Sequence, residues 1–140
     1  MKRLLLIATM LVATTMGSMA QQVSKWTNPA NNTGKPDTVT NTTGITLVAR
    51  ISQKGTVAIQ LDIKKVNGTV AGAAYLETSV DADYSPVQWS RVPGADTVVL
   101  TDGDNTKIWK LGSDYLHYRI RIVPTGTQKH TAKAFHILKL

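Results

Sequence analysis

The sequence predicts an all-β fold: a single antiparallel β-sandwich of immunoglobulin-like or jelly-roll type, with about eight strands, preceded by an extended N-terminal arm. Three observations carry this. Val57, Ile59, Leu61 and Ile63 alternate with Ala58, Gln60, Asp62 and Lys64, and a period of two places the first set on one side of an extended chain. The same alternation returns at Ile45 to Ser52 and at Leu116 to Ile122. Turn residues separate these runs, and nowhere after Ala20 does an i, i+3, i+4, i+7 apolar pattern last long enough for a helix.

The chain opens Met-Lys-Arg, runs through an apolar stretch from Leu4 to Thr15 and reaches Ser18-Met19-Ala20 before Gln21. Positive residues, a short apolar core and small residues before a polar start have the form of a bacterial-type secretory signal peptide cleaved after Ala20. The run is shorter than the roughly 20 apolar residues that span a membrane, so no stable span is expected in the mature chain. Gln21 to Gly44 is rich in Thr, Asn and Pro, with Trp26 and Val39 as its only large anchors. Such composition cannot bury enough surface to fold alone, and the segment is expected as an extended arm with Asp37 to Asn41 as an edge strand.

Residues 45–140 form the expected sandwich domain. Ile45 to Ser52 is a strand, and Gln53-Lys54-Gly55 turns it into a long central hairpin running from Gly55 to Val80. Asn67-Gly68, the dipeptide that best tolerates two positive φ values, makes the tight turn of that hairpin. Val70, Ala74, Leu76 and Val80 resume the apolar face on the way back. Asp81 to Pro86 is a loop. Val87 to Val92, around Trp89, is a short strand, Thr97 to Thr101 another, and Thr106 to Leu111 its partner across an Asp102-Gly103-Asp104-Asn105 turn. Leu116, Tyr118, Ile120 and Ile122 face inward on the next strand, with His117, Arg119 and Arg121 outward. Pro124-Thr125-Gly126 leads to the last strand, His130 to Leu140, where Phe135 and Ile137 share one side and Ala134, His136 and Leu138 the other.

The chain of 140 residues has no cysteine, which excludes a disulfide framework, thiol chemistry and thiolate metal sites. From Gln21 onward it is long enough for one domain with a real core and too short for two. Without Lys2 and Arg3, the 16 Lys and Arg residues fall to 14 against 9 Asp and Glu. The excess is local, since from Lys107 onward seven basic residues stand against Asp114 alone.

Two stretches resemble known sandwiches. Leu116-His117-Tyr118-Arg119-Ile120-Arg121-Ile122, then a Gly turn and a closing strand, resembles the penultimate strand of immunoglobulin-like and fibronectin type III domains. There a tyrosine hydroxyl ties back to upstream backbone at a corner, and the resemblance gives Tyr118 that place. Leu76 to Asp81, with Trp89 after the loop, resembles the S-x-D … W stretch of small sandwich modules in phage virion proteins and in carbohydrate-binding or adhesive bacterial surface proteins. Ala82 stands where a glycine often follows that aspartate. The resemblance implies a non-catalytic binding or structural part.

The chemistry-bearing residues fit that expectation. His117, His130 and His136 fall on the last two strands, and there is no nucleophile elbow, H-E-x-x-H, phosphate loop or dinucleotide fingerprint. Glu77 is the only glutamate, so paired-carboxylate hydrolysis would rest on loop aspartates. Neither enzyme activity nor a cofactor is expected. Asp81 with Asp83, and Asp102 with Asp104, place oxygen donors on alternate residues as calcium prefers. Tight-turn geometry accounts for them as well, which leaves them weak candidates and no metal expected. His117 and His136 could meet across neighbouring strands, but two ligands are too few for zinc.

His117, Arg119 and Arg121, joined by Lys129, Lys133 and Lys139 from the strand expected alongside, form a basic face suited to acidic polysaccharide or lipopolysaccharide phosphate. The alternative is a solvated face whose lysines deter sheet-to-sheet association. Trp89 and Tyr84, beside the Asp81–Asp83 loop, are candidates for stacking on sugars. Nucleic acid is not expected, because base stacking wants exposed aromatics among the charges. The expected function is that of an exported, non-enzymatic module acting in surface binding or self-assembly, its arm from Gln21 to Gly44 adding a strand to a neighbour's open edge. A virion structural or decoration protein and a carbohydrate-binding module are the alternatives.

Overall fold

The structure is a computed structural model and describes residues 23–29, 37–41, 43–52, 54–81, 88–112 and 114–139. The segment expected as a signal peptide, Asp83 and Tyr84 lie outside the described residues. In chain order the strands are β1 (Val23–Lys25), β2 (Asp37–Thr40), β3 (Ile45–Arg50), β4 (Thr56–Gly68), β5 (Gly72–Ser79), β6 (Ser90–Arg91), β7 (Val98–Leu100), β8 (Asn105–Gly112), β9 (His117–Pro124) and β10 (Gln128–Lys139). No helix among the described residues is long and apolar enough to cross a membrane.

The strands make two antiparallel sheets. In sheet A, β10 lies between β4 and the short strands β1 and β2, and β8 lies on the far side of β4. In sheet B, β9 lies between β3 and β5, and β6 and β7 both pair with the far edge of β5. From β2 to β5, and again from β7 to β10, every connection carries the chain from one sheet to the other. Of the two sandwich types expected, this order is the jelly roll.

The period of two sorts the residues as expected. Val57, Ile59, Leu61 and Ile63 of β4 and Tyr118, Ile120 and Ile122 of β9 are all buried and pack in one core with Leu47, Leu76, Ala132 and Ala134. Leu116 is only half-buried, and Val80, expected inward, is 72% exposed beyond the end of β5. The Tyr118 hydroxyl donates to the Gly112 carbonyl at 3.1 Å, the corner that the resemblance implied. Burial holds that phenol above its ordinary titration range.

Strand pairing departs from expectation at four places, one of them being that β9 and β10 lie in different sheets and do not pair. β4 and β5 are not the two arms of a hairpin, because they lie in different sheets across the core from each other. Asn67-Gly68 is instead the start of a crossing. Gly68 has φ 71°, and a Cβ there would run into the Thr127 carbonyl, so the chain can leave β4 beside β10 only with glycine at this point. Likewise β3 pairs with β9 and not with β4, and β7 pairs with β5 and not with β8. A turn signal is local and reads the same for a hairpin and a crossing. What decides is that both β4 and β5 need their apolar sides covered, and facing one another does this for both at once.

The arm is tied to its own domain wherever it is described. β1 pairs with Ile137, His136 and Phe135, and β2, the expected edge strand, pairs with Lys129 to Ala132. Between them the chain steps from sheet A to sheet B. The Trp26 amide donates to Ala134 at 2.9 Å, while Thr27 exchanges hydrogen bonds with Val48 of β3. Trp26 is thereby sunk into the core, 2% exposed, and its indole Nε1 donates to His136 Nδ1 at 3.1 Å. Burying an aromatic side chain of this size is worth several kcal/mol.

Candidate ligand-binding face

β5 and β9 turn Ala74, Leu76, Ile120 and Ile122 to the core, so their intervening residues stand on the outer side of sheet B. The register then fixes the neighbours. Glu77 lies between Arg119 of β9 and Arg91 of β6, and Tyr75 lies beside Arg121. Glu77 is 6% exposed and its two oxygens accept from two arginines, Arg119 Nε at 2.6 Å and Arg121 Nε at 3.3 Å. A carboxylate so enclosed needs such partners, because an unpaired buried charge is costly.

Aromatic rings complete the face. The Arg119 guanidinium carbon sits 4.4 Å from the centre of the Trp89 ring. Those of Arg91 and Arg121 sit 3.6 Å and 5.2 Å from the centre of the Tyr75 ring. These are cation–π distances. Arg91 is further held by Thr97, whose hydroxyl accepts from Nη1 at 3.0 Å. Two guanidinium groups, those of Arg119 and Arg121, therefore share one carboxylate, and all three lie over a ring. At either end the face opens into a shallow groove, one of about 390 Å³ beside Ser79, Asp81 and Ser90, the other of about 380 Å³ beside Thr46, Arg121 and Pro124.

Of the candidates read from the sequence, the structure brings together Trp89, Arg119 and Arg121. It does not add His117 or Lys133 to them. His117 has the outward parity, but it is 2% exposed at the end of the face. Burial first, and then the charge of Arg50, hold its imidazole below the ordinary range. Lys133 lies on β10 opposite Asp62, on the outer side of the other sheet, as do Lys129 and Lys139. The single basic face expected from β9 and β10 is thus two faces, because β9 and β10 never pair. His117 and His136 are separated for the same reason.

Of the weak calcium candidates, Asp102 and Asp104 are engaged by donors of the chain itself. The Asp102 carboxylate accepts from the Val70 amide at 2.9 Å and from Lys65 Nζ at 2.8 Å. Asp104 accepts from the Lys65 amide at 2.9 Å and from Lys64 Nζ at 2.7 Å. The two aspartates fasten the β7–β8 crossing to the β4–β5 crossing, and the lysine hydrogen bonds, foremost among the causes, hold both carboxyls below their ordinary range. Among the described residues there is no group of three His, Asp or Glu side chains able to hold a metal ion.

Sequence reasoning missed Tyr75, Glu77 and Arg91. The parity of Tyr75 and Glu77 opposite to Ala74 and Leu76 was legible; their meeting with the arginines needed the pairing of β5 with β9 and β6. Of the three tryptophans, Trp26 and Trp109 are core residues and Trp89 is half-buried at the surface.

No protein family matches the chain, nor does any curated protein. Among solved structures it is similar to a carbohydrate-binding module from Cellvibrio mixtus lichenase 5A in complex with cellotriose, at 12% identity over 89% of this chain and 91% of that one, with a TM-score of 0.35. It is also similar to a family 16 carbohydrate-binding module, at 7% identity over 88% of this chain and 89% of that one, with a TM-score of 0.39.

Proposed function

We propose that this chain is an exported, non-enzymatic binding module that takes an extended ligand along the outer face of sheet B. The observation that supports this most is the arrangement of Trp89, Tyr75, Arg91, Arg119 and Arg121 around the enclosed Glu77. Side chains borne on paired strands and held by a shared carboxylate are presented without the ordering cost that flexible surface groups incur on binding. The face is open and runs between two grooves, a shape that suits a polymer better than a small molecule in a closed pocket. For a protein outside the cytoplasm, surface polysaccharide is the polymer at hand, and the form of the first 20 residues is the motive for placing it there.

A glycan array probed with the wild-type chain and with Trp89→Ala tests this. Binding that the substitution weakens is the expected result, and an array that stays blank overturns the reading. Mass spectrometry of native material tests the export premise: a chain beginning at Gln21 is expected, and one beginning at Met1 would favour a virion part. Strand donation by the arm has less to support it, since β1 and β2 pair with β10 of the same chain and Trp26 is in its core.

A further inference from the structure

Resting on that reading of the face, we infer that its ligand is an acidic polysaccharide, gripped at its carboxylate or sulfate groups by the terminal nitrogens of Arg119 and Arg121. The inference starts from which nitrogens are occupied. Glu77 takes the Nε of each arginine. Neither Arg119 nor Arg121 has a further hydrogen bond or ion pair from its Nη atoms among the described residues. Each guanidinium is therefore fixed at its inner edge and keeps a pair of N–H donors for something outside the protein. Planar, paired donors of this kind match the two oxygens of a carboxylate or sulfate group, which a lysine ammonium does not. The two arginines are alternate residues of one strand, so the two donor pairs repeat roughly 7 Å apart, as suits a chain with repeated anionic groups.

Charge and ring coverage point the same way. Arg91, Arg119 and Arg121 leave an excess of two positive charges over Glu77. The exposed aromatic surface is already engaged, since a guanidinium group lies over Trp89 and others over Tyr75. A neutral sugar or a nucleic-acid base, both of which bind by stacking on bare rings, finds the rings covered.

The test is titration calorimetry of the chain from Gln21 with four polymers: polygalacturonate for carboxylates, dextran sulfate for sulfates, dextran as a neutral chain, and single-stranded DNA as an anion that is not a glycan. The variants are Arg119→Lys/Arg121→Lys, which keeps the charge and removes the paired donors, Trp89→Ala, and Lys110→Ala on the other sheet. Circular dichroism checks that each is folded. Expected is binding to polygalacturonate or dextran sulfate, whichever anionic group fits, with dextran silent. Affinity should fall at least tenfold in the double lysine variant and stay unchanged in Lys110→Ala. Undiminished binding by the double lysine variant overturns the inference, leaving only attraction between charges. Dextran binding lost in Trp89→Ala also overturns it while sparing the proposed face. Binding to DNA as tight as to the acidic glycans, with the same arginine dependence, replaces polysaccharide by nucleic acid. Binding that neither Trp89→Ala nor the lysine pair weakens, or none to any polymer, overturns both the inference and the face.

Discussion

The two outer faces of the sandwich are made by the same alternation and differ in what holds their side chains. On sheet A the outward rows read Lys25, Phe135, Gln60 and Ile108, then Val23, Ile137, Ala58 and Lys110. Lysines and apolar residues are mixed there, Lys133 lies opposite Asp62, and Ile108 is 52% exposed. On sheet B the cations are arginines, and an enclosed glutamate and two rings fix their positions. Charge count alone would favour sheet A, where Lys25, Lys110, Lys129, Lys133 and Lys139 stand against Asp62, over sheet B, where three arginines stand against Glu77. The difference lies in organisation: a face becomes a site when its charged groups are held at one edge and left free at the other.

The largest expected effect tests what both faces depend on. Trp26→Ala empties the core where the chain crosses from sheet A to sheet B, and should cost about 3–5 kcal/mol in urea unfolding. It should loosen both faces alike. Glu77→Ala should separate them, lowering stability by about 1–2 kcal/mol as Arg119 and Arg121 lose their shared carboxylate, the cost being limited because the arginines still reach water. Asp62→Ala, the counterpart on sheet A, should stay within about 0.5 kcal/mol. Equal losses in the two variants would erase the distinction drawn here.

Beneath the arginine face, Tyr118→Phe removes the hydroxyl bonded to Gly112 and should cost about 1 kcal/mol. The smallest effect is on pH dependence. His130, on β10, is fully buried with neither ring nitrogen hydrogen-bonded, and burial pushes its pKa below the ordinary 6.5. The folded chain therefore binds fewer protons than the unfolded one. Its contribution is complete above about pH 6.5 and is lost as the pH falls below that. His130→Leu should flatten the acid limb of a stability–pH curve without flattening it fully, since burial also lowers His136 and His117.

How much of this was legible in the sequence follows from what alternation can encode. Parity told that Ile59 and Ile120 are inside and that Arg119 and Arg121 are outside, and the Tyr118 corner was implied by the resemblance of this stretch to the penultimate strand of immunoglobulin-like and fibronectin type III domains. Partnership was not encoded. Asn67-Gly68 permits a hairpin as readily as a crossing, and what settles it is the need of both β4 and β5 to cover their apolar sides against each other. The candidate face suffered from the same gap. Lys133 has the right charge and parity and was joined to Arg119 on the assumption that the last two strands pair. Glu77 was passed over as a lone glutamate, although it holds the face together.

The most direct measurement is an amide and indole NMR titration of the labelled chain from Gln21 with oligogalacturonate. Shifts concentrated on Tyr75, Glu77, Arg119, Arg121 and the Trp89 indole, with Ile108, Lys110 and Lys133 unmoved, are the predicted result. Shifts centred instead on the outer residues of β4, β8 and β10 would contradict the account.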